Sequence, residues 1–275
     1  MLGVTTTPVE APIATWRLLG GDSVSPGGPP GDADNDGIPD EVEAGVGRNP
    51  LVKYNDIFGD ARLFAMQQYR DFIRREGDAP GIAFWTNQIT TNTQDRAETI
   101  RSFFDSYEFQ VLGSPVVRLY FAYFLRIPDY AGVDFWMGQS RAGTPLATIS
   151  QNFAASAEFD ARYGALNNSQ FVDLVYQNVL GRAPDAPGKA FWQGQLDANA
   201  MSRGQVMLGF SESDEYRISS IGKVFVTMMY VGMLRRAPEQ AGFDFWVDYV
   251  NRGNPRLSLI RGFLASPEYR ARFLP

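Results

Sequence analysis

Residues 171–192 have the sequence FVDLVYQNVLGRAPDAPGKAFW, which contains a helix, a turn and the start of a second helix. Apolar residues recur at steps of three and four through residues 171–180, a spacing typical of an amphipathic helix. The Gly-Arg-Ala-Pro turn that begins at Gly181 ends this helix, because glycine and proline both disfavour its continuation. Asp185 follows the turn, and its carboxylate is predicted to cap the next helix.

Two further helices are predicted to complete the unit. The third runs from about residue 203 to residue 210, and Ser213 is predicted to be the N-cap of a short fourth helix. The matching segment near the end of the sequence is Ser266-Pro267-Glu268, which places proline at the first helical position and an acid in the first turn. The unit is therefore predicted to contain four helices.

The same unit occurs four times, and its shared positions keep fixed spacings. A Phe-Trp pair marks each copy, and the tryptophans are Trp85, Trp136, Trp192 and Trp246. A glycine lies four residues before each tryptophan, at Gly81, Gly132, Gly188 and Gly242. Twelve residues before the glycines lie Tyr69, Tyr120, Tyr176 and Tyr230; six residues before them lie Arg75, Arg126, Arg182 and Arg236. The acids Asp78, Asp129, Asp185 and Glu239 lie three residues before them, and such internal repetition indicates tandem structural units.

A second block, F-x-x-S-x-E-[FY], recurs in every copy. Its glutamates follow the tryptophans by 22 or 23 residues and are Glu108, Glu158, Glu215 and Glu268. Together the motifs resemble the bacterial DUF4214 family of helical repeats, and the resemblance covers residues 57–275. It implies an all-α fold of four tandem helical repeats, packed into one or two helical domains, at about residues 63–112, 115–165, 169–220 and 223–275. The family occurs in exported, surface-layer and RTX-type proteins, often beside calcium-binding modules.

A calcium-binding loop is predicted ahead of the repeats, within residues 32–50. The sequence DADNDGIPDEVE at residues 32–43 matches the twelve-position pattern D-x-[DN]-x-[DN]-G-x5-E at every defined position. Ca²⁺ takes about 6–8 oxygen ligands, and carboxylates at alternate positions of a tight loop supply them. The predicted ligands are the side chains of Asp32, Asp34, Asp36, Asp40 and Glu43, with the main-chain carbonyl of Ile38.

The loop differs from a full EF-hand, which has a helix on each side. The preceding Pro-Gly-Gly-Pro-Pro-Gly run at residues 26–31 cannot form one, and Pro39 lies where a hand usually has a β-branched residue. The loop therefore resembles the thrombospondin type 3 class of calcium repeat. With no incoming helix we expect a modest affinity, in the range of about 10⁻⁵–10⁻³ M. Glu41 to Val46 is predicted to form one short helical turn.

The composition excludes several kinds of site. The 275 residues include no cysteine and no histidine, which removes disulfides, thiolate and imidazole metal ligands, and Ser-His-Asp or Cys-His catalysis. The net charge of −6 provides no basic surface for nucleic acid. The sequence contains no run of 18 apolar residues, the length that would predict a membrane-spanning helix. No catalytic or organic cofactor site is predicted.

The repeated side chains have two interpretations each. Aromatic residues at helical spacing are usually core residues, so each Phe-Trp pair is predicted to be largely buried rather than to stack on a sugar. Each repeated arginine is predicted to contact the acid three residues later, the glutamate of its own second block or a helix-end carbonyl, rather than to form a site for an anionic sugar. The four block glutamates could instead serve a carboxylate-based glycoside hydrolase, but an active site needs one special pair and four equivalents recur.

The remaining predictions concern context. Residues 1–31 are interpreted as a leader and Pro/Gly-rich linker, in which residues 9–19 are the last strand of a preceding domain. We expect the chain to be a fragment of a longer exported bacterial protein, located outside the cell or on its surface. The expected function is a non-enzymatic, calcium-binding structural or adhesive module that attaches to surface polysaccharide or to another surface protein.

Overall fold

A computed structural model describes residues 31–34, 36–45 and 47–273. The leader, with the strand predicted at residues 9–19, lies outside the described residues. The described residues form helices and no strands, so the predicted all-α fold of tandem helical repeats is confirmed. Helix α1 is Asp40–Gly45, close to the short helical turn predicted from Glu41 to Val46.

Sixteen further helices follow in four groups of four. In the first group they are α2 Ala61–Gln68, α3 Ala79–Thr90, α4 Arg96–Asp105 and α5 Tyr107–Leu112. In the second they are α6 Ser114–Phe124, α7 Tyr130–Arg141, α8 Leu146–Ala154 and α9 Ala157–Tyr163. In the third they are α10 Asn168–Val175, α11 Ala186–Asp197, α12 Arg203–Ser211 and α13 Asp214–Ser219. In the fourth they are α14 Ile221–Met229, α15 Gln240–Asn251, α16 Leu257–Ala265 and α17 Pro267–Ala271.

The helix ends follow the capping residues that the sequence predicts. The carboxylates of Asp78, Asp129 and Asp185 each accept a hydrogen bond at 2.7 Å from the N–H of the repeated glycine. The hydroxyls of Ser106, Ser156, Ser213 and Ser266 accept from a backbone N–H three residues later. Each cap satisfies a donor that the first turn of a helix leaves free, so the motif defines where the helices begin.

The first helix of three repeats ends in a wider, π-helical turn. These turns are Tyr69–Ile73, Tyr176–Leu180 and Tyr230–Leu234. In all four repeats the residue before the shared arginine has a positive φ, and these residues are Arg74, Leu125, Gly181 and Arg235. The chain therefore reverses at the same point in each repeat.

The repeated glycine is required by the repeated tyrosine. A Cβ atom at Gly81, Gly132, Gly188 or Gly242 would collide with the hydroxyl of the tyrosine twelve residues earlier. The same tyrosine ring packs on the phenylalanine that opens the second block, with centroids 4.7–4.9 Å apart in the four repeats. The tyrosine, the glycine and that phenylalanine thus form one packing unit in each repeat.

The Phe-Trp pairs are less buried than the sequence predicts. Trp136 is fully buried, whereas the other three tryptophans are partly exposed. The exposed fractions of Phe84, Phe191 and Phe245 are 54%, 53% and 61%. The prediction that every pair is largely buried is therefore wrong. Side chains of successive helical residues point about 100° apart. When the tryptophan points toward the core, the phenylalanine before it therefore points toward solvent.

The helices form two compact units. The described residues of one unit are continuous in sequence, and those of the other come from two separate segments; we call them the continuous unit and the split unit. The described part of the continuous unit is residues 112–224, which contain the second and third repeats. Within it α8 packs closely on α12. Gly204 permits this approach, since a Cβ atom at that position would lie 2.5 Å from the Gln151 nitrogen. The glycine carbonyl accepts a hydrogen bond from Ser150 at 2.9 Å. Arg118 of the second repeat also pairs with Glu212 of the third.

The split unit combines the first and last repeats. Its described part consists of residues 31–111 and 225–273. Helix α16 packs on α4, so third helices meet here as they do in the continuous unit. Arg261 pairs with Asp95 at 2.8 Å, and Arg256 lies 3.4 Å from Asp105. The acidic loop belongs to this unit.

Candidate metal centre

The acidic loop folds around its own carboxylates. Asp32 accepts hydrogen bonds from the N–H groups of Asp36 and Gly37, at 3.1 Å each. Asp34 also accepts from the Asp36 N–H, at 3.0 Å, and Asp36 accepts from the Ile38 N–H at 2.8 Å. As a result, one oxygen from each of the three aspartates lies within 4.8 Å of the others. Such a set of converging oxygens suits a hard cation.

Gly37 allows the loop to close. Its φ is +94°, a backbone conformation that residues with a Cβ atom rarely adopt. A Cβ atom there would lie 2.5 Å from the amide oxygen of Gln67, on α2. The glycine of the motif is therefore needed both for the turn and for the contact with the first repeat.

Asp40 and α1 bring the end of the loop back to its start. The N–H of Asp40 donates to the Gly31 carbonyl at 2.8 Å, and its carboxylate accepts from the Ala33 N–H at 2.8 Å. Ile38, two residues before Asp40, is buried, with 4% of its surface exposed. Glu43 lies on α1, and neither Glu43 nor Asp40 belongs to the set of three aspartates whose oxygens converge.

Glu43 is the most unusual group of the site. Its side chain has no exposed surface, and neither carboxylate oxygen has a hydrogen-bond partner among the described residues. One oxygen of Asp34 is buried in the same condition. A buried carboxylate without a partner is costly, because desolvation is not offset by any attraction. These oxygens therefore require a cation or a proton.

The electrostatics of the loop lead to the same requirement. Burial raises the pKa of Glu43 to about 7, and the charges of Asp36, Asp34, Asp32 and Asp40 contribute to this rise. Burial, followed by the charge of Asp36, likewise raises the pKa of Asp34. A divalent cation among these oxygens would remove the repulsion and favour the ionised forms. The residues present fit Ca²⁺ in the type and number of their oxygen atoms.

Residues outside the motif also hold the loop, and no motif of the sequence predicts them. The N–H of Tyr54 donates to Asp36 at 2.8 Å, and the amide of Asn55 donates to the Asp36 carbonyl at 2.9 Å. Arg235, from the last repeat, pairs with Asp32 at 2.9 Å. The sequence signal for such support is weak: Gln67 and Gln68 are polar residues at the end of α2 and are both buried.

The repeated arginines and glutamates form structural pairs. Arg75 binds Glu108, Arg126 binds Glu158 and Arg236 binds Glu268, each through two guanidinium nitrogens. The four arginines, including Arg182, also lie over the tyrosine of their own repeat, 4.8–5.6 Å from its centroid. The bond to Glu108 raises the pKa of Arg75, and the bond to Glu268 raises the pKa of Arg236. Each pair links the turn after the first helix to the fourth helix of its repeat.

The third repeat departs from this pattern. Arg182 and Glu215 are both exposed, and among the described residues they form no ion pair with each other. Arg182 also donates no hydrogen bond to a carbonyl of the described residues, so the prediction that it contacts a carboxylate or a helix-end carbonyl is wrong. The prediction is confirmed for Arg126 and Arg236, which also approach Asp129 and Glu239. Gly181 precedes Arg182, and the other repeats have a larger residue at that position.

Comparison with known proteins identifies the repeats but not the loop. A family model described as a domain of unknown function, DUF4214, matches residues 58–112, 150–220 and 219–273. No curated protein and no solved structure matches the chain. Within the described ranges 31–34, 36–45 and 47–273, no helix has the length and apolar character needed to cross a membrane.

Proposed function

We propose, for a chain that belongs to the DUF4214 family, a non-enzymatic structural function in which one Ca²⁺ holds the acidic loop closed against the first repeat. The ion would be held by Asp32, Asp34, Asp36, the Ile38 carbonyl, Asp40 and Glu43. The single observation that carries this proposal is the buried carboxylate of Glu43, whose two oxygens have no hydrogen-bond partner among the described residues.

The architectural role of the repeats is supported by what their shared residues contact. Three of the four block glutamates are bound by an arginine of the same repeat. A carboxylate held by two guanidinium nitrogens connects two segments of its own repeat, which favours a structural role over a catalytic one. The repeats would then provide a scaffold by which a larger exported protein attaches to surface polysaccharide or to another surface protein.

Calorimetry tests the calcium function directly. The full chain, stripped of metal with a chelator, is titrated with CaCl₂ and compared with the double variant Asp36→Ala/Glu43→Ala. We expect one site in the wild type, with a Kd of about 10⁻⁵–10⁻³ M, and no binding in the variant. No heat in the wild type at millimolar calcium, or equal heats in both proteins, would exclude the proposal.

Attachment to a partner is a separate question with its own test. Glycan arrays and pull-downs with cell-surface polysaccharide, performed with and without calcium, would detect the polysaccharide partner. Binding to a polysaccharide in both assays is the expected result. Absence of binding in both would contradict the polysaccharide version and leave a protein partner as the target.

A further inference from the structure

A continuous path of buried hydrogen bonds begins at the acidic loop. The amide nitrogen of Asn55 donates both to the Asp36 carbonyl, at 2.9 Å, and to the side-chain oxygen of Gln67, at 2.6 Å. The amide nitrogen of Gln67 then donates to Asp71 at 2.8 Å. These side chains are almost without exposed surface, at 1% for Asn55, 0% for Gln67 and 1% for Asp71. The path therefore runs through the interior of the first repeat.

The path ends in the last repeat. Arg272, just after helix α17, pairs with Asp71 at 3.0 Å and is itself 7% exposed. The same guanidinium donates to the carbonyls of Gly232 and Met233, in the π-helical turn of the fourth repeat. Asp71 and Arg272 are 201 residues apart in sequence. One buried ion pair thus joins the first repeat to the end of the last one.

The acidic loop contacts this path at Gly37, whose φ is positive. The side-chain amide of Gln67 occupies the space that a Cβ atom of Gly37 would need, so the amide supports the glycine turn from below. Asn55 fixes the carbonyl of Asp36, and that residue is one of the predicted ligands. Any shift of the two amides would change the positions of Asp36 and Gly37. Partners that orient metal ligands in this way strongly affect metal affinity.

We infer that Asn55, Gln67, Asp71 and Arg272 are positioning residues for the calcium loop, and that calcium binding is coupled to the docking of α17 in the split unit. The path would orient the loop from the side of the first repeat, as the flanking helices do in an EF-hand. Coupling between two sites is reciprocal, so calcium stabilises the docked end of the chain by the same factor by which docking increases calcium affinity. This inference rests on the proposed calcium function.

Calorimetric titration of the full chain with CaCl₂ tests the inference through single changes on the path. Gln67→Met keeps the side-chain volume and removes both hydrogen bonds, and Arg272→Met removes the distal ion pair. We expect the calcium Kd to rise about 10-fold or more in Gln67→Met and about 3- to 10-fold in Arg272→Met, as for other outer partners of metal ligands. Gln151→Met is the matched control, because Gln151 accepts from the Gly204 N–H in the continuous unit, apart from this path. Its Kd should stay within about 2-fold of the wild type.

Amide hydrogen exchange of the wild type gives a second readout that does not depend on the variants folding. Calcium should slow the exchange of amides in Pro267–Ala271 and Tyr230–Leu234. Calcium binding without slower exchange in these segments, or with equal Kd values in Gln67→Met and the wild type, overturns the coupling while leaving the calcium function intact. Absence of calcium binding in the wild type overturns both.

Discussion

At the scale of single residues, the buried position of Glu43 shapes the behaviour of the calcium-free protein. Its pKa in the folded protein is about 7, above the ordinary value of 4.5, so the folded state loses stability as the pH rises through this interval. Glu43→Gln removes the charge and keeps the volume. We predict that, in EDTA at pH 8, this variant has a higher Tm than the wild type, and that the difference is much smaller at pH 5.

The same variant should not respond to calcium, because it lacks the ligand that closes the shell. Thermal unfolding followed by circular dichroism, with and without 2 mM CaCl₂ (an amount chosen to be about twice the weakest expected Kd), checks both parts. A Glu43→Gln protein that is less stable than the wild type in EDTA at pH 8 would show that the carboxylate has a protein partner after all.

The repeated tyrosine and glycine give a second residue-scale prediction. A Cβ atom at Gly132 would collide with the hydroxyl of Tyr120, which is buried and has no hydrogen-bond partner among the described residues. Gly132→Ala should therefore destabilise the protein by about 1–3 kcal/mol, the usual cost of overpacking a core. Removing the hydroxyl with Tyr120→Phe should have little effect by itself and should offset most of the loss in the double variant.

Urea denaturation of the four proteins in this double-mutant cycle measures the coupling between the two positions. Gly81→Ala with Tyr69→Phe is a matched pair in the first repeat, because the same collision occurs there. Additive effects at both places would contradict the packing explanation for the glycine.

At the scale of the helices, the repeated arginine should stabilise the second repeat, where it pairs with a glutamate of the fourth helix, more than the third repeat, where it does not. Arg126 and Glu158 are 29% and 24% exposed and are bound by two hydrogen bonds. Arg126→Met should cost about 1–3 kcal/mol, between the values for exposed and buried pairs. Arg182→Met should cost less than about 1 kcal/mol, because it removes only the contact with the Tyr176 ring. Equal shifts in Tm would contradict this distinction.

The elements also show how far the sequence could lead. Capping by Asp185 and Ser213 depends on residues a few positions apart, so it could be predicted from local chemistry. The exposure of Phe191 could not, because it depends on which face of α11 meets the other helices. The departure of Arg182 could not be predicted either, since its motif residues match those of the other repeats.

The candidate site divides in the same way. The predicted ligands lie within twelve residues and follow a known spacing, so Asp32, Asp34 and Asp36 could be predicted from the sequence and are brought together. The supporting residues Asn55 and Arg272 could not, because they come from distant parts of the sequence and share no motif. The complete burial of Glu43 likewise could not be predicted from its position in the motif.

At the scale of the whole molecule, calcium should increase stability by mass action. A site with a Kd of about 10⁻⁵–10⁻³ M should add about 0.6–3 kcal/mol at about 2 mM calcium. Magnesium at the same concentration should add much less, because it prefers a smaller octahedral shell and loses water reluctantly. Urea denaturation in each salt checks this prediction, and equal stabilisation by the two ions would indicate a non-specific effect of divalent charge.

The central claim is that one calcium ion occupies the acidic loop, and crystallography of the full chain with CaCl₂ tests it most directly. An anomalous difference map should contain a single strong peak in the loop. Oxygen atoms of Asp32, Asp34, Asp36 and Glu43 should surround it at about 2.3–2.6 Å, together with the carbonyl of Ile38 and Asp40 directly or through water. No peak in the loop at millimolar calcium, with Glu43 still buried and without a partner, would contradict the account.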